Sequence, residues 1–112
     1  MATWDDVREL GLALPGVEES TSYRQPSLKV GGRAFATMSP HEDGALVLRV
    51  DPDELPLIVA SDPRAFYVTP HYEGHPLVLV RLESIEREEL ADRMTDSWLL
   101  AAPKRLADAL DP

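Results

Sequence analysis

The sequence predicts an α+β two-layer sandwich, a five-stranded antiparallel sheet with helices on one face, in the order α-β3-α-β2-α. Three observations predict it. Apolar residues recur at helical spacing near the two ends of the chain, at Trp4, Val7, Leu10 and Leu14 and again at Leu90, Met94 and Trp98. Between them lie short apolar runs separated by turn signals, too short for helices and joined as hairpins are. Hairpins make an antiparallel sheet, and its apolar face must be covered by the helices.

Each element has a local reason. Thr3 is placed to cap the first helix, with Asp5 and Asp6 in its first turn complementing the helix dipole, and Pro15-Gly16 ends it. Residues 17 to 26 are polar and read as an irregular connection that ends in Tyr23-Arg24-Gln25-Pro26. A connection of that length packs over a sheet edge or grips a partner. Ser27 to Val30 is a short strand, turned by Gly31-Gly32 into a second strand from Phe35 to Met38. Ser39 to Gly44 is a loop with His41, Glu42 and Asp43, and Ala45 to Val50 is the third strand. Asp51-Pro52-Asp53-Glu54 reads as a helix start, Asp51 capping and Pro52 at the first helical position, with the helix running to about Ala60. Phe66 to Thr69 and Leu77 to Leu82 form a second antiparallel pair. A helix carries Leu90, Met94 and Trp98 on one stripe, and Pro103 opens a last short helix with Leu106 and Leu110 facing inward. The expected core includes Trp4, Leu10, Leu28, Phe35, Leu48, Leu79, Leu90 and Met94.

Composition bounds what this domain does. The 112 residues, 44% of them hydrophobic, suit one domain over residues 1–112 with a single core that needs no staples. The absence of cysteine excludes disulfides, thiolate metal sites and a thiol nucleophile. Residues 1 to 20 hold no long apolar run and carry Asp5, Asp6, Arg8 and Glu9, which argues against a signal peptide or a spanning helix; the expected location is the cytoplasm, away from membranes. Net charge is −9, from 20 acids against 11 bases. Such a chain repels duplex DNA at long range unless its bases gather on one face.

Several stretches together resemble the MmcQ/YjbR family of small bacterial proteins. They are Leu14-Pro15-Gly16-Val17-Glu18-Glu19-Ser20-Thr21, Leu28-Lys29-Val30-Gly31-Gly32-Arg33, Leu46-Val47-Leu48-Arg49-Val50-Asp51, Val68-Thr69-Pro70-His71-Tyr72 and Ala101-Ala102-Pro103-Lys104-Arg105-Leu106. The resemblance spans nearly the whole chain and implies the same α-β3-α-β2-α fold. It also implies DNA binding, because members carry that label on the likeness of the fold to a double-wing motif. It supplies no catalytic motif. Many members have a glycine and a tryptophan after the His-Tyr loop, where this chain has Pro76-Leu77.

The richest chemistry lies in Phe66-Tyr67-Val68-Thr69-Pro70-His71-Tyr72-Glu73-Gly74-His75-Pro76, a polar loop between two apolar strands. Binding groups concentrate in such loops. His71 and His75 stand four apart, but prolines and a glycine keep them off a helix, and a zinc site would need a third ligand such as Glu73 or His41. No metal and no cofactor is expected. Ser27, Ser39 and Thr69 lack a nucleophile context, and Gly31-Gly32 sits in a hairpin rather than before a helix, so no phosphate loop exists. A hydrolytic or metal-dependent enzyme is the least supported reading. The bases are more informative. Lys29, Arg49 and Arg81 fit the sheet face opposite the helices, near Tyr67 or Tyr72, with Arg24 and Arg33 at strand ends. The candidate binding set is therefore Arg24, Lys29, Arg33, Arg49, Thr69, His71, Tyr72 and Arg81, with no catalytic residue. Bases gathered on one face favour weak, non-specific nucleic-acid binding; scattered bases favour a protein or small-molecule partner.

Overall fold

Thr3 caps the first helix in the computed structural model, which describes residues 1–110. Its hydroxyl accepts from the Asp6 N–H while the Asp6 carboxylate accepts from the Thr3 N–H, so two orphan donors are satisfied reciprocally. Helix α1 then runs over Trp4–Leu12. Gly11 lies where this helix meets the sheet; a Cβ there would run into the Leu28 side chain, so the glycine permits the close approach.

Four strands follow, not three. They are β1 (Val17–Ser22), β2 (Gln25–Val30), β3 (Arg33–Met38) and β4 (Ala45–Arg49). Helix α2 (Leu55–Ser61), β5 (Phe66–Tyr67), β6 (Leu77–Arg81), a short 3-10 turn (Leu82–Ser84), α3 (Arg87–Ala101) and α4 (Lys104–Leu110) complete the chain. The sheet is antiparallel and six-stranded, in the order β1-β2-β3-β4-β6-β5. The expected five strands and the order α-β3-α-β2-α are thus corrected by β1. It is an edge strand, mostly polar because one backbone edge and much of both faces meet water. The turn that pairs it to β2 is Tyr23-Arg24, with φ of 51° and 65°. A two-residue hairpin turn of this kind favours Asn-Gly, so Tyr-Arg hides it from sequence reading.

The second helix also starts later than expected. Asp51 accepts from the Asp53 N–H at 2.9 Å and holds a turn, not a helix cap. Pro56 lacks the N–H that a helix begun at Pro52 would need there, so Pro56 occupies the first turn of a helix begun at Leu55.

One face of the sheet meets the helices. Leu28, Ala36, Leu48 and Val78 form a row across four strands, with Leu46, Val80 and Phe66 in the next row. Leu90, Met94 and Trp98 of α3 and Val7 of α1 close over them, all buried. Trp98 also donates its indole N–H to the Pro15 carbonyl at 3.1 Å. Two expected core residues differ: Trp4 and Leu10 are half-buried, because α1 flanks α3 at the margin of the layer. Leu79 is buried on the opposite face, in a smaller cluster with Ala45 and Tyr72. Leu106 packs against the core as expected; the Leu110 side chain lies outside the described residues. No helix is long and apolar enough to cross a membrane.

Candidate functional site: the groove on the open sheet face

The face turned away from the helices carries Ser27, Thr37, Val47, Leu79 and Tyr67 in one row, with Lys29, Arg49 and Arg81 in flanking rows. Antiparallel sheets commonly leave such a face to water. Here the loop between β5 and β6 folds back over part of it. Backbone N–H groups of Tyr72 and Glu73 donate to the Thr69 carbonyl at 2.9 and 3.1 Å, making one helical turn. That turn aims Tyr72 inward, where it is only 7% exposed and packs on Ala45 and Leu79.

The Tyr72 hydroxyl meets the Ser39 hydroxyl at 2.6 Å. Ser39 Oγ already accepts from the N–H groups of His41 and Glu42, at 3.1 and 3.0 Å. With both lone pairs engaged, its own proton goes to Tyr72. One serine therefore ties the β3–β4 loop to the β5–β6 loop, and the His41 and His71 rings meet with centroids 3.7 Å apart, tilted at 46°.

These two loops wall a groove of about 620 Å³ whose floor is Thr37, Val47 and Arg49. His41, His71, His75 and Tyr72 stand on one side, Pro76 and Leu77 at the end, and Tyr23 on the opposite rim. No carboxylate lines it, in a chain with 20 acids. Arg49 is its one formal cation. Arg49 Nε donates to the Ala34 carbonyl at 2.7 Å, and no carboxylate pairs with its guanidinium among the described residues. Burial, and then the nearby Arg33 charge, lower the Arg49 pKa.

A bulge positions Arg49. Leu28 pairs with Ala36 but Lys29 pairs with Ala34, so Phe35 is left without a partner on β2. Pairing of β3 with β4 stops at Ala36 and Leu48. Ser97, buried on α3, fills the gap: its hydroxyl donates to the Phe35 carbonyl at 2.5 Å and accepts from the Arg49 N–H at 2.9 Å.

The family model described as YjbR matches residues 12–100. The chain belongs to the YjbR family. Uncharacterized proteins of Mycobacterium tuberculosis (strain H37Rv) and Mycobacterium bovis are each 32% identical, over 97% of this chain and 95% of theirs. The crystal structure of a Deinococcus radiodurans protein with a DUF419 domain superposes with a TM-score of 0.78 at 25% identity, covering 98% of this chain and 88% of that one.

Within this YjbR chain the structure brings together only part of the predicted set. Arg49, His71 and Tyr72 line the groove. Arg33 sits beside it at the β2–β3 turn, exposed, close enough for its charge to act on Arg49. Lys29 shares the open face but stands across from Glu18 of β1, outside the groove. Arg24 is on the exposed β1–β2 turn, at the other end of the strands. Arg81 lies under the Tyr67 ring, 3.8 Å from its centroid, and donates to the carbonyls of Pro63 and Arg64. Thr69 is not among the residues that line the groove; its Oγ1 is buried and without a hydrogen-bond partner among the described residues.

Sequence reasoning left Tyr23, Ser39, His41 and Ser97 out of the site. Two of them carried a signal: Tyr23, in the connection expected to cover an edge or grip a partner, and His41, as the third histidine of a chain that has three. All three line the groove, yet among the described residues no three His, Asp or Glu side chains converge as a metal site. Nor does any described serine or threonine hydroxyl bond a histidine ring. A second hollow, about 480 Å³ between α2 and α3, is edged by Glu54, Asp62, Glu89 and Asp92, exposed or half-exposed carboxylates of an acidic surface.

Proposed function

We propose that this protein is a cytoplasmic, non-catalytic binding module that receives a small molecule in the open-face groove. The groove itself carries this reading. Its volume lies in the range of ligand pockets, and its walls combine apolar surface with a few convergent polar groups, as such pockets do. It rests on strands and on a loop pinned by Tyr72 and Ser39, so little conformational freedom is lost on binding. The distribution of bases supports the same reading over duplex recognition. Arg24 and Arg81 stand apart from Arg49, and Arg81 is already engaged.

A fragment screen followed by amide NMR tests it. Hits should shift the resonances of Val47, Tyr72 and Leu77 together, and filling the groove with Val47→Trp should abolish them. Hits that map elsewhere, or that survive Val47→Trp, sink the proposal.

Weak, non-specific nucleic-acid binding is the second reading. The neighbouring Lys29, Arg33 and Arg49 support it, since none has a carboxylate partner among the described residues, whereas Arg8, Arg64, Arg87, Arg93 and Lys104 all do.

A further inference from the structure

We propose that the ligand of this groove is an organic anion: a two-oxygen anionic head held by Arg49 at the floor and a flat apolar body covered by Tyr23 at the rim. This rests on the groove being the binding site and goes on to name the chemistry that it selects.

The head group follows from Arg49. Its Nε is committed to the Ala34 carbonyl, which fixes the guanidinium plane and leaves both terminal nitrogens without a protein acceptor among the described residues. The cation is half-buried and its neighbour is another cation, Arg33. Burial of an unpaired charge is unfavourable, so an anion that satisfies it is stabilised there. A fork of N–H donors matches the two oxygens of a carboxylate, sulfonate or phosphate. The wall adds no competing acid.

The body follows from the rest of the lining. Val47, Leu77 and Pro76 give an apolar bed, and the Tyr72 ring stands beside it. Tyr23 is 85% exposed, a costly place for an aromatic ring, and its backbone is held at a φ of 51°. Non-glycine residues in that region are strained, and such strain collects at ligand clamps. The register sets the reach. The Tyr23 turn lies beyond the level of Ala45, four residues along β4 from Arg49, or roughly 13 Å of strand. A head on Arg49 and a body of about two fused rings would span most of that length.

The test uses two probes with one body. 1-Anilinonaphthalene-8-sulfonate carries the anion; N-phenyl-1-naphthylamine lacks it. Fluorescence titration of the wild-type protein should give one site for the sulfonate and at least about tenfold weaker binding of the amine, the size of a charge-assisted hydrogen-bond pair. Arg49→Gln should remove that preference, so that the variant binds the sulfonate no better than the amine, and Arg49→Lys should keep part of it. Tyr23→Ser, on an exposed turn where folding is not at risk, should weaken both probes. Thermal melts of each variant confirm the fold. Equal binding of both probes, unaltered by Arg49→Gln, overturns the anion assignment and leaves the groove reading standing. Binding of either probe that survives Val47→Trp overturns both.

Discussion

The hydroxyl of Ser97 accepts a hydrogen bond from the Arg49 backbone N–H at 2.9 Å. A helix thereby completes a strand, since the bulge in β3 has removed the carbonyl that would otherwise have served. Ser97 is fully buried, so its loss leaves two backbone groups unsatisfied in the core. Ser97→Ala is expected to cost about 1–3 kcal/mol by chemical denaturation, the range for orphaned buried groups. Ser97→Thr keeps the hydroxyl and should restore the bond but crowd the helix–sheet contact. If Ser97→Ala is neutral, the bulge is satisfied in some other way.

The Tyr23-Arg24 turn predicts the opposite sign. Both residues hold positive φ, where an L side chain is disfavoured. Tyr23→Asn with Arg24→Gly installs the pair that a two-residue hairpin prefers. It should raise stability by about 1 kcal/mol, read as a higher melting temperature. A drop would show that the Tyr23 ring supports the fold.

Those two sites also mark where sequence reading reached its limit. The helical stripes of Trp4 to Leu14 and Leu90 to Trp98 were legible because burial leaves a periodic imprint. So were the apolar strands from Leu28 onward. Strand β1 left no such imprint, because an edge strand with both faces partly wet needs neither alternation nor apolar content, and its turn breaks the usual residue rule. The groove was half legible. Arg49 and the His71-Tyr72 loop carried chemistry visible in the chain. Ser39 and Ser97 did not, since a serine matters here only through partners 33 and 62 residues away. The bases Lys29, Arg49 and Arg81 did fall on one face, as strand alternation required. Their separation across that face depended on strand order, which alternation does not encode.

Leu90 tests the core. It is wholly buried on α3 against the sheet. Leu90→Ala should cost about 2–5 kcal/mol, the transfer term plus the cavity left behind. A loss well below that would mean that α3 collapses onto the space or is less tightly packed than the burial implies.

Asp6 gives a pH dependence with a defined sign. The Thr3 backbone N–H, and then Arg87 at 2.5 Å, hold its carboxyl below the ordinary value of 3.8. A carboxylate whose folded pKa is depressed contributes stability above the unfolded pKa, and that contribution is lost as pH falls through the folded value. The difference in stability between wild type and Asp6→Asn should therefore hold steady from neutral pH down to about pH 5 and shrink below about pH 4. A difference that instead grows on acidification would reverse the assignment.

Nucleic acid is where family resemblance and charge point in different directions. Electrostatic affinity for DNA scales with the number of phosphates neutralised. The open face offers Lys29 and Arg49, with Arg33 at the adjoining β2–β3 turn, Arg24 and Arg81 lie apart, and Glu18 stands opposite Lys29 on the edge strand. Against a net charge of −9, so small a cluster supports binding no tighter than roughly 10⁻⁴–10⁻⁶ M at physiological salt. Sequence discrimination should be absent, because it requires an element that enters a groove with base-reading side chains. The bases here lie instead on a sheet face and its turns. Titrating random and defined duplexes at two salt concentrations measures both quantities. The expected result is weak binding with a shallow salt slope, about the same for every duplex. A tight complex that prefers one sequence and is weakened by Lys29→Gln or Arg49→Gln would make DNA the partner and the groove incidental to it.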